Sequence, residues 1–368
     1  MTLANFADAA LTGIVPGPET TEPETFRKLQ TRSLDDRLSM LGAAAAALAL
    51  VWLLYEQILP LSGALGFGLC WYAAFVGLYA LVTSCSHPRP VVIDRVVAAL
   101  IAGGAAVVGA ALLTVVVFTF YKGWPAYHHL NFFTHDMAGV GPQDPLTRGG
   151  ILHAIVGSFV ELAIAVAISL PLGLGAAIYM TEVGGRLSKV VRTVVEAMTA
   201  LPDLVAGLFI YSLLIVGLGY SRTGLAAALA ISITMLPIIA RSSEVVLRVV
   251  PGGLREAGWA LGSSQWQTVR RVVLPTARPG LATSLILGVA RGIGETAPVL
   301  IVSGASTFLN YNPNVNPMNS LPLFVFSAVR SGEPTYITRA YGAASVLLGL
   351  VIVGFVLIRL LARQRTAR

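Results

Sequence analysis

The sequence predicts an all-α protein that crosses a membrane several times. Hydrophobic residues make up 55% of the 368 residues and charged residues 12%, whereas soluble domains carry about 25% charged residues. Eight apolar segments are long enough, or nearly so, to cross a hydrocarbon core of about 30 Å as helices. Their predicted bounds are 38–60, 65–84, 95–121, 151–180, 191–218, 223–242, 279–302 and 338–361.

The basic residues predict how these spans are oriented. The net charge is +7, and no clustered basic face points to nucleic acid. If the N-terminus lies in the cytoplasm, 19 of the 25 Lys and Arg residues fall on cytoplasmic segments and five on outer segments, with Arg291 inside a span. Membrane proteins carry such an excess on their cytoplasmic side. We therefore expect both termini in the cytoplasm.

The segments outside the spans differ in character. Residues 1–35 predict a polar cytoplasmic tail, because acidic residues and prolines leave no apolar stretch of signal-peptide length. The outer loop 122–149 is aromatic, and the outer loop 303–336 is rich in Asn and Pro. An aromatic belt at the membrane interface and a turn-rich connection would explain them. Docking of an external binding protein would explain both equally well.

Two pairs of opposite charges are predicted at or near membrane depth. Arg291 and Glu295 are four residues apart in the seventh span, and Arg241 and Glu244 are three apart near the inner end of the sixth. A charge at this depth costs roughly 2.5–3.5 kcal/mol on insertion scales, so such residues usually face the interior of a bundle. They could lock helices together, or form an anion path that uses the fixed donor fork of arginine. The presence of two such pairs favours the path.

Small residues recur beside Arg291. Gly280, Ser284, Gly288 and Gly292 stand four residues apart, and a stripe of this kind predicts a face where helices approach closely. Glu161, in the fourth span, is either a path residue or the partner of a polar group at a helix interface.

The sequence lacks the motifs of an enzyme. None of its three lysines follows a glycine, so it has no P-loop. If transport uses ATP and Mg, a separate subunit must bind them, and we expect no cofactor in this chain. His128, His129 and His135 share an outer loop without metal-ligand spacing. We expect them to be solvated, and we expect no metal site and no catalytic residues.

A polar segment between the sixth and seventh spans, EAGWALGSSQWQTVRRVVLP, predicts an elbow of two short helices. Pro251 fits the first turn of the first helix, and Gly262 fits its end. Ser264 can cap the second helix, with Gln267 as the reciprocal partner. Pro275 is expected to end that helix, because it lacks a backbone N–H.

The elbow resembles the signature loop of the inner-membrane permeases of ABC importers. In that loop Glu-Ala-Ala is followed by three residues, Gly, nine residues, an aliphatic residue, any residue and Leu-Pro. The matching positions are Glu256, Ala257, Gly262, Val272, Leu274 and Pro275, with Gly258 in place of the second alanine. The resemblance implies the fold of a type I ABC importer permease, and a loop that couples to an ATPase subunit.

A second motif narrows the resemblance. Residues Arg291–Pro298 read Arg-x-x-Gly-Glu-Thr-Ala-Pro, which is similar to the PstA-type permeases of high-affinity phosphate importers, as is the stretch 149–157. This resemblance implies that both arginine–glutamate pairs serve phosphate passage. Sulfate and molybdate permeases share the elbow motif but tend to have an aromatic residue where this chain has Thr296.

The resemblance starts near residue 95 and implies a core of six transmembrane helices preceded by two extra ones. The predicted organisation is a tail (1–35), two extra helices (36–93), a permease domain (94–361) with its coupling loop (248–278), and a basic cytoplasmic tail (362–368). The function of the first two spans stays open.

The resemblance also implies partners and a location. These are a PstC-like second permease, two PstB-like ATPases that bind ATP and Mg, and a PstS-like phosphate-binding protein, assembled in the plasma (inner) membrane. The expected function is import of inorganic phosphate. Two alternatives remain: import of another oxyanion such as sulfate or molybdate, and a membrane sensor or scaffold that transports nothing.

Overall fold

The structure is a computed structural model that describes residues 34–58 and 62–362. Within these ranges the only extended pairing is an isolated bridge between Gly304 and Met318, so the predicted all-α fold is confirmed. The predicted tails, 1–35 and 362–368, lie almost wholly outside the described residues.

The helices of the N-terminal half are α1 (Leu34–Trp52), α2 (Ala64–Ser86), α3 (Arg89–Tyr127), α4 (Asn131–Thr134), α5 (Leu152–Ile178) and α6 (Gly185–Thr199). Those that follow are α7 (Asp203–Ile210), α8 (Gly224–Val249), α9 (Gly252–Ala260), α10 (Gln265–Thr268), α11 (Leu274–Ile293), α12 (Ala297–Val302), α13 (Leu321–Arg330) and α14 (Pro334–Ala362). π-helical turns extend α1, α5, α7 and α10 over Leu53–Ile58, Tyr179–Val183, Tyr211–Gly217 and Val269–Val273.

Among the described residues, seven helices are long and apolar enough to cross a membrane. An eighth span exists only if α6 and α7 count as one, and these two helices meet at 102°. The prediction of a single helix over 191–218 is therefore wrong. The break falls at Pro202, whose backbone is extended, because proline lacks the N–H that a continuous helix would need.

The predicted span 279–302 is also divided. α11 begins earlier, at Leu274, and ends at Ile293, and α12 begins at Ala297. Pro298 stands in the first turn of α12, where its missing N–H costs no helical hydrogen bond. The sequence between the two helices is Gly294-Glu295-Thr296, so Glu295 lies just beyond the helix that carries Arg291.

The chain divides into two compact units, Met1–Ala111 and Leu112–Arg368, and the boundary lies within α3. In the first unit Trp71 donates a hydrogen bond to the Ala44 carbonyl at 3.2 Å, which joins α2 to α1. Arg95 on α3 forms an ion pair with Asp36 on α1 at 2.5 Å. The predicted domain boundaries, including the division at 93/94, stay a prediction.

In the second unit the core is built around α8. Buried Ile231, Met235 and Ile239 pack with Ala165 of α5 and Val299 of α12 in one apolar cluster. α11 runs antiparallel to α8 and turns its four small residues toward it. A Cβ on Gly280 would lie 2.5 Å from Val246, and one on Gly288 would lie 2.5 Å from Ile239; Gly292 faces Met235, and Ser284 is buried. The two backbones are therefore in close contact.

The two loops at the opposite end of this unit from α9 and α10 are more ordered than a turn-rich segment. Within 303–336 the structure contains α13, whose Leu321 and Phe324 are buried. The loop 122–149 is held by the buried Arg339 of α14, which donates to the carbonyls of Asp144, Pro145 and Arg148 at 2.8–3.2 Å. Both loops are thus held against the helices rather than standing free.

Candidate functional site

Arg291, in the last turn of α11, joins two carboxylates from different parts of the chain. Its Nη2 donates to Asp203, the first residue of α7. Its Nε lies 3.0 Å from Glu295 Oε1. The side chains differ in access: Glu295 is 6% exposed, Asp203 34% and Arg291 47%. The break before α7 and the break after α11 place both acids on this guanidinium.

Arg291 and Asp203 line a cavity of about 210 Å³ at the bend between α6 and α7. The other lining residues are Met198, Thr199, Leu201, Ala206, Ile233, Thr234, Pro237 and Ile238. One water occupies about 30 Å³ in the liquid, so a small ion with a few waters fits this space.

Glu244 on α8 is the centre of a second charged cluster. Its side chain is 3% exposed and accepts from three arginines. Arg192 of α6 contacts it at 2.7 Å, Arg241 at 3.1 Å and Arg248 at 2.6 Å. Arg241 also lies 3.3 Å from Glu196 of α6. With three arginines against two glutamates, this cluster keeps an excess of positive charge.

The two clusters lie at different levels along α8. Arg241 is 44% exposed and stands one helical turn beyond Pro237 and Ile238, which line the cavity. Because Gly292 of α11 packs on Met235 of α8, Arg291 is level with Met235, and Arg241 lies about 9 Å further along the helix axis at 1.5 Å per residue. Arg291 therefore lines the cavity, and Arg241 lies one turn beyond its lining residues on α8.

Both arginine–glutamate pairs predicted from the sequence form in the structure. Whether they serve a translocation path stays a prediction. Four further members of the clusters were not predicted from the sequence: Arg192, Glu196, Asp203 and Arg248. Arg248 follows Glu244 by four residues and could have been found from helical spacing. The other three come from α6 and α7, and no local pattern links them to their partners.

The first part of the elbow follows the prediction except at Pro251, which caps α9 from the position before its first turn instead of standing within that turn. Gly262 has φ of +81°, a left-handed conformation that glycine adopts without a steric penalty. Ser264 and Gln267 form a reciprocal capping box. Glu256, Ala257, Trp259, Leu261 and Trp266 are exposed. Gly258 is buried, and a Cβ there would lie 3.0 Å from Thr268, so glycine instead of alanine lets α9 and α10 approach closely.

The end of the elbow differs from the prediction. Pro275 does not end the second helix, because the chain continues through a π-helical turn directly into α11. Pro275 stands in the first turn of α11, where a missing N–H is tolerated. Leu274 begins α11, so the elbow and the Arg291 helix form one continuous element. A displacement of the elbow would therefore reach Arg291 without crossing a flexible joint.

A partly buried ion pair also joins the elbow to α5. Arg255, next to Glu256 on α9, donates to both oxygens of Glu182 at 2.7 and 3.1 Å. The same guanidinium donates to the carbonyls of Val250 and Leu247 at the end of α8. The hydrogen bonds to Glu182 raise the pKa of Arg255. One side chain thus connects three elements: α5, α8 and the elbow.

Glu161 has the environment expected of a helix-interface pair. It is buried on α5, and its Oε1 lies 3.0 Å from the Ser303 hydroxyl. Ser303 follows α12 and also contacts the Met318 carbonyl at 2.5 Å.

Among the residues that the structure describes, no group of three or more His, Cys, Asp or Glu side chains could hold a metal ion.

Residues 169–366 match the family model described as "Binding-protein-dependent transport system inner membrane component". The chain belongs to this family. It is therefore a multi-pass membrane component of a transport system. The matched region contains both charged clusters, the cavity and the elbow.

Several curated relatives of this chain carry a consistent name. The chain is 39% identical over 231 residues to "Phosphate transport system permease protein PstA 1" of Mycobacterium tuberculosis, which covers 62% of this chain and 75% of the relative. It is 39% identical to PstA of Mycobacterium leprae over 65% of this chain and 78% of the relative. It is 32% identical to PstA of Haemophilus influenzae over 67% and 86%. A solved structure of the MetNI methionine ABC transporter is also similar, at 21% identity, 58% and 95% coverage and a TM-score of 0.47.

Proposed function

We propose that this chain is the PstA-type permease subunit of an ABC importer that moves inorganic phosphate into the cytoplasm. The observation that carries the proposal is the pair of half-exposed arginines: Arg291 lines the cavity, and Arg241 stands one helical turn beyond its lining residues Pro237 and Ile238. This chain also aligns with three quarters or more of the length of two relatives that are named as phosphate permeases.

The geometry suits a small tetrahedral anion. Arginine presents planar donors that match the oxygens of phosphate in pairs. Glu244 and Glu295, both buried, hold the two guanidiniums in place. They also offset part of the positive charge, which keeps an anion from binding too tightly to leave. The two arginines are separated by about 9 Å along the helix axis, from the helical rise of 1.5 Å per residue, and an anion would pass from one to the other.

The orientation follows from the basic residues. The elbow end carries Arg186, Arg248 and Arg255 together with other arginines, and the positive-inside rule places such an end in the cytoplasm. Both termini then lie in the cytoplasm. The loop 122–149, which Arg339 anchors, and the loop 303–336 face outward, where a PstS-like phosphate-binding protein docks.

The elbow is the contact for the ATPase. Its exposed Trp259, Leu261 and Trp266 offer apolar and aromatic surface of the kind that anchors protein interfaces. Glu256 adds an exposed acceptor for an arginine or a backbone N–H of the partner. Two PstB-like subunits bind ATP and Mg, and bound ATP closes them in the cytoplasm. The continuous helix from α10 to α11 carries that motion to Arg291. A PstC-like permease supplies the other half of the pore.

The test is uptake by a strain that lacks this chain. We expect loss of phosphate uptake at low phosphate, with sulfate and molybdate uptake unchanged, and recovery when the chain is supplied. Loss of sulfate or molybdate uptake with phosphate uptake intact would favour another oxyanion as substrate. Unchanged uptake of all three anions, with altered expression of phosphate-responsive genes, would favour a sensor or scaffold.

A further inference from the structure

The charges around Arg291 raise a problem for an anion path. Asp203, Glu295 and Arg291 together carry a net charge of −1 when all three are ionised. A fully deprotonated oxyanion would meet this excess negative charge on reaching the guanidinium. The problem arises only if the proposed anion path is correct, so the inference below rests on the proposed function.

The two carboxylates are not equivalent. Glu295 is 6% exposed and follows Arg291 by four residues, so it is a fixed partner. Asp203 is 34% exposed, lines the cavity and comes from α7, beyond the bend at Pro202. An anion that enters the cavity can take the place of Asp203 on the guanidinium. Asp203 then faces the anion itself.

The other polar side chains of the cavity, Thr199 and Thr234, can also only accept hydrogen bonds from a ligand. The Thr199 hydroxyl donates to the Val195 carbonyl at 2.9 Å, and the Thr234 hydroxyl donates to the Ile231 carbonyl at 2.8 Å. Their protons are committed to their own helices, so only oxygen lone pairs remain for a ligand. Among the lining side chains, Arg291 alone is a donor. Such a cavity suits an anion that brings a proton of its own.

Phosphate and sulfate differ in this property. Both are tetrahedral oxyanions of similar size, but phosphate carries at least one proton at neutral pH and sulfate carries none. An ionised carboxylate can only accept hydrogen bonds. A phosphate hydroxyl can therefore donate to Asp203 while the other oxygens accept from Arg291. Sulfate can only present an unprotonated oxygen to the carboxylate, and the two like charges repel.

We propose that Asp203 is a specificity-determining residue of this cavity, which accepts a hydrogen bond from protonated phosphate held by Arg291 and disfavours sulfate. The permease then selects its anion independently of the binding protein. No bond is made or broken in this step, and the proton stays on phosphate.

The experiment measures anion access to the cavity in the purified complex without binding protein. Cys70 and Cys85, both exposed, are replaced by Ser, and Leu201, an exposed lining residue, is replaced by Cys. Labelling of this chain by a maleimide is followed by mass spectrometry in phosphate or sulfate at equal ionic strength. We expect phosphate to slow labelling at least about fivefold more than sulfate does.

The decisive variant is Asp203→Asn, whose amide can donate to an unprotonated anion. We expect the phosphate-to-sulfate ratio to fall to about one, while phosphate protection itself remains and shows that the fold is intact. Glu333→Gln, a partly exposed acid in the loop before α14, is the matched control and should keep the ratio of the parent. Equal protection by the two anions in the parent, or an unchanged ratio in Asp203→Asn, would overturn the inference alone. If neither anion protects the parent, both the inference and the anion path are overturned.

Discussion

The Glu182–Arg255 pair offers a quantitative test of how the elbow is coupled to the helices. In Glu182→Gln the shape is kept, but one carboxylate oxygen becomes an NH2 group, which cannot accept from Arg255, and the remaining oxygen loses its charge. Hydrogen bonds to charged groups contribute about 1.5–3 kcal/mol each and are roughly twice as strong as neutral ones. Losing one such bond and halving the other costs about 2.3–4.5 kcal/mol. Because about 1.4 kcal/mol is a factor of ten, the coupled state should become about 40- to 1,600-fold less populated.

The assay is the ATPase rate of the reconstituted complex in proteoliposomes, with and without phosphate-loaded binding protein. We expect Glu182→Gln to lose most of the stimulation, since Arg255 then holds the elbow to α5 less firmly, while docking of the binding protein survives. A cycle with Arg255→Gln isolates the pair: the double variant should be little worse than either single one. Full stimulation in Glu182→Gln, or strictly additive losses in the cycle, would refute this reasoning.

Two further predictions concern the elbow and the orientation. Gly262→Val forces a β-branched residue into a φ of +81°, which costs about 1–3 kcal/mol of strain. We expect this variant to abolish binding-protein-stimulated ATP hydrolysis. The control is Gly253→Val, at a position with open space and ordinary backbone, which should keep the stimulation. If Gly262→Val keeps its stimulation, the elbow is not the coupling element. A cysteine at Asn314 should react with an impermeant thiol reagent from outside intact cells, and one at Ser264 only after the membrane is opened. The opposite pattern would reverse the orientation and remove the coupling argument.

Local patterns in the sequence predicted much of this structure. Hydropathy located the long helices, and the Ser264–Gln267 box and Gly262 were readable because capping depends on residues close together in the chain. The stripe through Gly288 was readable for the same reason. The Arg291–Glu295 and Arg241–Glu244 pairs followed from helical spacing.

The errors arose where tertiary structure overrides a local rule. A hydropathy average over residues on both sides of Pro202 cannot show that the chain bends by 102° between α6 and α7. Pro275 was expected to end a helix, but the π-helical turn before it places it at the start of the next one. Asp203, Arg192 and Glu182 were missed because their partners are 88, 52 and 73 residues away in the chain, and only the fold brings them together.

The central claim is that Arg291 serves the passage of phosphate, and uptake of labelled phosphate into proteoliposomes tests it most directly. The complex of this chain with its second permease and ATPases is reconstituted, with loaded binding protein outside and ATP inside. Arg291→Ala should abolish uptake at an unchanged amount of assembled complex, and Arg291→Lys should recover little, since a point charge lacks the paired donors. Arg186→Ala, an exposed arginine at the start of α6, should transport normally. Uptake by Arg291→Ala at the rate of the parent would contradict the account.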